Sequence, residues 1–205
     1  MTKGQLIFAI LALVLVMTAF PVVSAFEGAK VNVSASETIP ATKTARLATA
    51  EEIDLILGAG YPDNPAGITW DYVPAQTPIV WVVGIQLMNP LDYTMTGVSV
   101  TDQFNEHVGI ALLSYSQGSV AITPPNQLTA WNGFNLAPGA SACLELLVWT
   151  LDEGELEPYQ QFAEVGTYNL NYSGIIMTWY DPAVTPQSYL NGGPSLTVTV
   201  YEPQP

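Results

Sequence analysis

The chain contains few cations and almost no cysteine or histidine. Its 205 residues include four Lys and Arg against 18 Asp and Glu, which gives a formal net charge of −14. No Lys or Arg follows Arg46. Nucleic acids and anionic membranes bind basic surfaces, so both are poor partners for this chain. The phosphate-binding glycine motif that ends in Lys is also excluded after residue 46.

Cys143 is the single cysteine, so the sequence excludes an intrachain disulfide and any zinc site built from several thiolates. It lies in the apolar run ACLEL, which favours a buried and inert thiol. His107 is the single histidine, and no nucleophile motif accompanies it. We therefore interpret His107 as a solvated loop residue and expect no enzymatic activity.

The N-terminus has the pattern of a secretory signal peptide. Lys3 precedes an apolar run over residues 6–20, which is followed by Pro21 and the small-residue ending Val-Ser-Ala at 23–25. Cleavage after Ala25 would give an extracellular or cell-surface protein without a membrane span. One alternative is that Lys-Gly-Gln at 3–5 resembles an archaeal prepilin cleavage site, after which the hydrophobic helix would be retained in a pilus core.

Residues 26–46 are predicted to form an N-terminal arm, and residues 47–78 a short helix and a loop. Lys30, Asn32 and Ser34 alternate with apolar residues, which indicates a half-buried strand. The apolar side of this candidate donor strand consists of Ala29, Val31, Val33 and Ala35. Thr49 and Glu52 have the spacing of a capping box and predict a helix through Leu57 that Gly58 ends.

The remainder, residues 79–205, is predicted to be one all-β sandwich domain. Short apolar runs alternate with turn residues, and no second long helix-period segment occurs. The predicted strands are 79–88, 95–101, 108–115, 119–122, 128–131, 141–150, 166–172, 175–180 and 195–201. Five Trp residues, at 70, 81, 131, 149 and 179, are interpreted mainly as core residues, although exposed rings would suit carbohydrate.

Three stretches, GIQLMNPLDYTMTGVSVTDQF, WNGFNLAPGASACLELLVW and GTYNLNYSG, carry a resemblance to a known family. They resemble the conserved-repeat immunoglobulin-like domains of bacterial and archaeal surface proteins. The matching positions are Asn89, the Val-x-Val-Thr-Asp motif at 98–102, the Leu-x-Pro-Gly-x-Ser turn at 136–141 and the strand at 168–172. The resemblance implies an immunoglobulin-like, jelly-roll type antiparallel sandwich. The chain departs from that family because it has one copy of the domain behind an arm.

A secreted domain with a strand-bearing arm is also similar in architecture to subunits of archaeal extracellular threads and bundling pili. That similarity implies a homopolymer, in which the arm strand of one copy completes the sheet of the next. A type IV pilin with a retained helix is one alternative. A monomeric module that binds glycans or another surface protein is the other.

Three further sites are suggested by sequence alone. The acidic segment at 152–157 is most simply a solvated loop, with Ca²⁺ binding as an alternative, although the spaced pattern of an EF-hand is absent. Sequons place candidate glycosylation at Asn32 and Asn171. Both Asn side chains are predicted to face outward from their strands. No other cofactor or metal is expected.

Overall fold

The structure is a computed structural model that describes residues 41–151, 164–171, 174–181, 184–191 and 196–203. These residues belong to the second of two units in the chain, which begins at Thr38. Within them lie helix α1 (Ala50–Ile56) and 12 strands. The strands are β1 (Ala41–Leu47), β2 (Tyr72–Pro74), β3 (Val80–Met88), β4 (Met95–Gln103), β5 (Val108–Tyr115), β6 (Ser119–Thr123), β7 (Gln127–Leu136), β8 (Ser141–Thr150), β9 (Gly166–Asn169), β10 (Ile175–Asp181), β11 (Val184–Asn191) and β12 (Thr197–Tyr201).

The strands form three sheets. One sheet has the order β1-β3-β8-β5, a second has the order β11-β10-β4-β7-β6, and a small third sheet has the order β2-β12-β9. All strand pairs are antiparallel except β2 with β12. The predicted all-β antiparallel sandwich is therefore confirmed. No helix in the described ranges has the length and apolar character of a membrane span.

The core is formed by the alternating apolar residues of strands from all three sheets. Trp81 on β3 and Trp131 on β7 are completely buried in it. Their ring N–H groups donate to the backbone oxygens of Trp70 and Gln117, both at 2.8 Å. Because buried indole N–H groups need acceptors, these bonds fix the orientation of both rings. The interpretation of these two Trp residues as core residues is confirmed.

Residues 41–46, which were predicted to belong to the arm, are part of the sandwich. Strand β1 pairs with β3 from Ala41 opposite Leu87 to Leu47 opposite Trp81. It is an edge strand of its sheet. The predicted boundary between residues 46 and 47 is thus wrong, because a period-2 pattern resumes directly after Pro40 and turns alternate residues toward the core.

Helix α1 begins as the sequence predicted. The Thr49 hydroxyl accepts from the Glu52 backbone N–H at 3.3 Å, and the Glu52 carboxylate accepts from the Thr49 backbone N–H at 2.9 Å. Gly58 follows the helix with a φ of 84°, as a left-handed C-terminal cap requires. The buried Ile53 packs the helix against residues of β3 and β8 that lie outside the main core.

Arg46 also binds this cap, and the contact makes stability dependent on pH. Its guanidinium donates two hydrogen bonds to Glu52, at 2.6 and 2.8 Å, and chiefly this contact lowers the pKa of Glu52 to about 2. The stabilisation is present above the ordinary pKa of 4.5 and is lost as the pH falls from there toward 2.

We predict that Glu52→Gln lowers the free energy of unfolding by about 1 kcal/mol at pH 7. The difference from wild type should shrink as the pH falls from 4.5 and disappear below pH 2, where the Glu52 carboxyl is also neutral. Urea unfolding at the two pH values measures it. Glu51→Gln is the matched control, since it removes a carboxylate from the same helical turn without removing the Arg46 contact. An equal effect of both substitutions would contradict the assignment.

Candidate functional site

Lys43 points from the edge strand β1 into the interior of the sandwich. Its neighbours Thr42 and Thr44 face outward, and the side chain of Lys43 is only 1% exposed. Burial of a Lys is rare because an ammonium loses its hydration in the core. The residue therefore needs a specific partner inside the domain.

That partner is Asp102, which lies on β4 in the facing sheet. The Lys43 ammonium donates to Asp102 Oδ2 at 2.5 Å, and the Asp102 side chain has no exposed surface. Val98 and Val100, which share the inward face of β4 with Asp102, are also buried. The carboxylate thus occupies an apolar position of its strand, and the ion pair connects the two large sheets.

Asn171 contacts the same carboxylate from a third direction. Its side-chain amide donates to Asp102 Oδ1 and to the backbone oxygen of Gln103, the second at 2.8 Å. The amide oxygen accepts from the backbone N–H of Gly174 at 3.1 Å. The Asn171 residue is 1% exposed. One oxygen of Asp102 therefore binds an amine and the other binds a carboxamide.

The surroundings of this cluster are apolar. The Lys43 ammonium lies 5.3 Å from the centre of the Phe104 ring, which is completely buried. Burial lowers the pKa of Lys43, while the charge of Asp102 and its hydrogen bond act in the opposite direction. Desolvation is the larger cause, so the neutral amine is more accessible here than at a surface.

The arrangement places an amine, a carboxylate and a carboxamide together, closed to solvent. Such a cluster has no room to admit a substrate, but its members can react with each other or bind the two sheets together. Among the described residues, no group of three or more His, Cys, Asp or Glu is placed to hold a metal ion.

Asn171 is the sequence-predicted site residue that the structure corrects. It was expected to face outward as a glycan acceptor, but its amide nitrogen is buried and donates two hydrogen bonds. The reason is that β9 ends at Asn169. The strand alternation stops there, and the next two residues, Leu170 and Asn171, are both buried. The prediction of an open acceptor is wrong for the folded domain.

The other predicted sites divide into those outside the described residues and those within them. The candidate donor strand, Asn32 and the acidic segment at 152–157 lie outside. His107 lies in the loop between β4 and β5 with its side chain 20% exposed, at 3.9 Å from the Glu106 carboxylate. Cys143 is exposed rather than buried, because Ala142 and Leu144 take the inward positions of β8.

The outward face of the β1 edge is a second surface of interest. A shallow depression there is lined by Thr42 and Thr44 of β1 together with residues of β3 and β8. Gly84 keeps it open, since a Cβ at that position would lie 3.0 Å from the Thr44 hydroxyl. Small and polar side chains therefore line the sheet next to its edge strand.

Comparison with known proteins gives little guidance to function. No family model matches the chain, and no curated protein matches it. Among solved structures, a carbohydrate-binding module of Ruminiclostridium thermocellum is similar to 78% of this chain over 99% of its own length. The sequence identity is 14% and the TM-score is 0.29.

Proposed function

We propose that this protein is a structural subunit of an extracellular filament or cell-surface assembly. In this proposal, residues 29–35 of one copy add as a strand to the sheet of the next copy. The observation that supports it is the edge position of β1, which directly follows the arm. The main-chain groups of alternate residues on an edge strand point away from its partner and can bind an added strand.

The short link between the arm strand and β1 constrains the assembly. Residues 36–40 span at most roughly 17 Å when extended, so the acceptor copy would lie directly against the end of the donor domain. Such a head-to-tail contact does not close on itself and propagates into a fibre. Lys30 would bring a positive charge to a body that has no Lys or Arg after residue 46, which favours encounter.

We place the acceptor site at the outer edge of β1. Small side chains, such as the half-buried Ala45, face inward beside this edge. A donor strand whose inward residues are Ala and Val fits next to them without large displacement. Thr42 and Thr44 on the outward face of β1 are polar and exposed, which suits the polar side of the donor.

The proposal predicts that the apolar face of the arm, and not its charge, is required for polymers. Val31→Asp with Val33→Asp should abolish filaments, because two carboxylates would enter the acceptor sheet. Asn32→Asp with Ser34→Asp adds the same charge on the opposite face and should leave them intact. Electron microscopy and sedimentation of the secreted protein measure both variants.

A second variant separates assembly from folding. Deletion of residues 26–40 should give a folded monomer, whereas a longer deletion would remove β1 and the Lys43 ion pair. Filaments of normal length from the shorter deletion would overturn the proposal. N-terminal sequencing tests the pilin alternative, for which the mature chain would start at Gln5 rather than Phe26. A soluble monomer with measurable glycan affinity would favour a binding module instead.

A further inference from the structure

We propose that Lys43 and Asn171 become joined by an intramolecular isopeptide bond, with Asp102 as the group that moves the proton. The bond would connect β1 to the segment after β9, and it would form without any other protein. This inference rests on the buried cluster and does not depend on the proposed filament.

Asp102 holds the two reacting groups close together. Asp102 binds the Lys43 amine through one carboxylate oxygen and the Asn171 carboxamide through the other. Two reactants that are held against one small group react as if at very high concentration, with effective molarities of about 10⁵–10⁸ M for well-oriented pairs. Asn171 is held further by its bonds to Gln103 and Gly174, so its carboxamide cannot rotate away.

Lys43 must lose a proton before it can react. An ammonium cannot attack a carbonyl carbon, and only a neutral amine is a nucleophile. Burial lowers the pKa of Lys43, and the carboxylate that would accept its proton is in direct contact. The side chain of Lys43 is almost completely buried, and the loss of hydration there favours its neutral amine.

The reaction balances without a co-reactant. Lys43 gives one proton to Asp102, and its Nζ then bonds to Cγ of Asn171 to form a tetrahedral centre. The bond from Cγ to Nδ2 breaks as that nitrogen receives protons from Asp102 and from the attacking amine. The leaving group is therefore an ammonium ion, which carries away the extra proton of the Lys43 ammonium. Asp102 is again a carboxylate, and a secondary amide joins the two side chains. No bond is oxidised or reduced.

The cluster differs from a purely structural ion pair. A buried pair is often no more stabilising than apolar residues of the same size, because desolvation offsets the attraction. A chain with only four Lys and Arg has nonetheless placed one of them in its core. The Asn171 amide satisfies the second oxygen of Asp102, as a buried pair requires, but it also brings an electrophilic carboxamide to the carboxylate that holds the Lys43 amine.

Where the proposed filament exists, the bond would carry load. Tension on the arm enters the domain at β1, which is otherwise connected to the sheet by its pairing with β3. A covalent link at Lys43 would pass that tension to residue 171 before the hydrogen bonds of β1 are broken. This consequence rests on the proposed function, but the bond itself is tested without filaments.

The test uses the full chain purified from a bacterial host and denatured before analysis. Its intact mass should lie about 17 Da below the sequence mass, because one ammonia is lost. Trypsin gives a second readout, since no Lys or Arg follows Arg46. In the linked protein, residues 31–46 should stay attached to residues 47–205 after digestion, and fragment spectra should join Lys43 to Asn171.

Three variants identify the roles. Lys43→Arg and Asn171→Ala should each have the full mass of their own sequence and release residues 31–43 on digestion, because residue 43 is then an unlinked Arg or Lys. Asp102→Asn should do the same while near-ultraviolet circular dichroism shows native packing. A wild-type protein that is folded yet has the full sequence mass would overturn the bond. A link that still forms in Asp102→Asn would overturn the role given to Asp102. Filaments without the link would leave the proposed function standing and remove only this inference.

Discussion

The free energy of unfolding of Lys43→Met is expected to be about 3–5 kcal/mol lower than that of the double variant Lys43→Met with Asp102→Leu. The single substitution leaves the Asp102 carboxylate buried with no cation beside it. The double substitution removes both charges and fills the space with apolar atoms. The comparison is independent of any cross-link, since neither variant has the Lys43 amine.

Urea unfolding at pH 7, followed by circular dichroism, measures this difference. Asp102→Leu alone should also be less stable than the double variant, because it leaves the Lys43 ammonium without its partner. Thr42→Met is the control on the outward face of the same strand, where a substitution should change stability by about 0.5 kcal/mol or less. Equal stability of the single and double variants would show that the buried charges do not depend on each other.

The buried pair could have been predicted from the sequence, although it was not. Lys43 shares a period-2 face with Ala41 and Ala45, and Asp102 shares one with Val98 and Val100. A charged residue on the apolar face of a strand is a signal of a buried partner. What the sequence could not supply was the pairing, because only the packing of the two sheets brings β1 to face β4.

The elements that sequence reasoning missed have physical reasons of their own. Strand β11 contains Pro186, which argues against a strand, but β11 lies at a sheet edge beside a register shift between Trp179 and Asp181. Proline is tolerated in an edge strand because no neighbouring strand on the open side needs the backbone N–H that proline lacks. Strand β2 has three residues and a parallel partner in β12, so it is too short to show a period. Strands β5 and β8 have the predicted bounds because apolar runs between turn residues define them.

Gly118→Ala is the second substitution with a large expected effect. Gly118 has a φ of 85° in the turn that carries the chain from β5 in one sheet to β6 in the other. An added Cβ would collide with the backbone oxygen of Asn132 and would lie 2.6 Å from Cδ1 of Phe134. The preceding residue, Gln117, accepts the Trp131 ring N–H, so the turn cannot move without disturbing the core.

Gly139→Ala separates the strain of a left-handed backbone from the steric collision. Gly139 also has a positive φ, of 72°, but an added Cβ there meets no atom within 4 Å. Its substitution should cost about 1–2 kcal/mol, the strain of a left-handed backbone alone. Gly118→Ala should cost that amount and about 1–3 kcal/mol more, because backbone and ring must shift. Urea midpoints of the two variants measure the difference, and similar midpoints would mean that the turn at Gly118 shifts to accommodate the added Cβ.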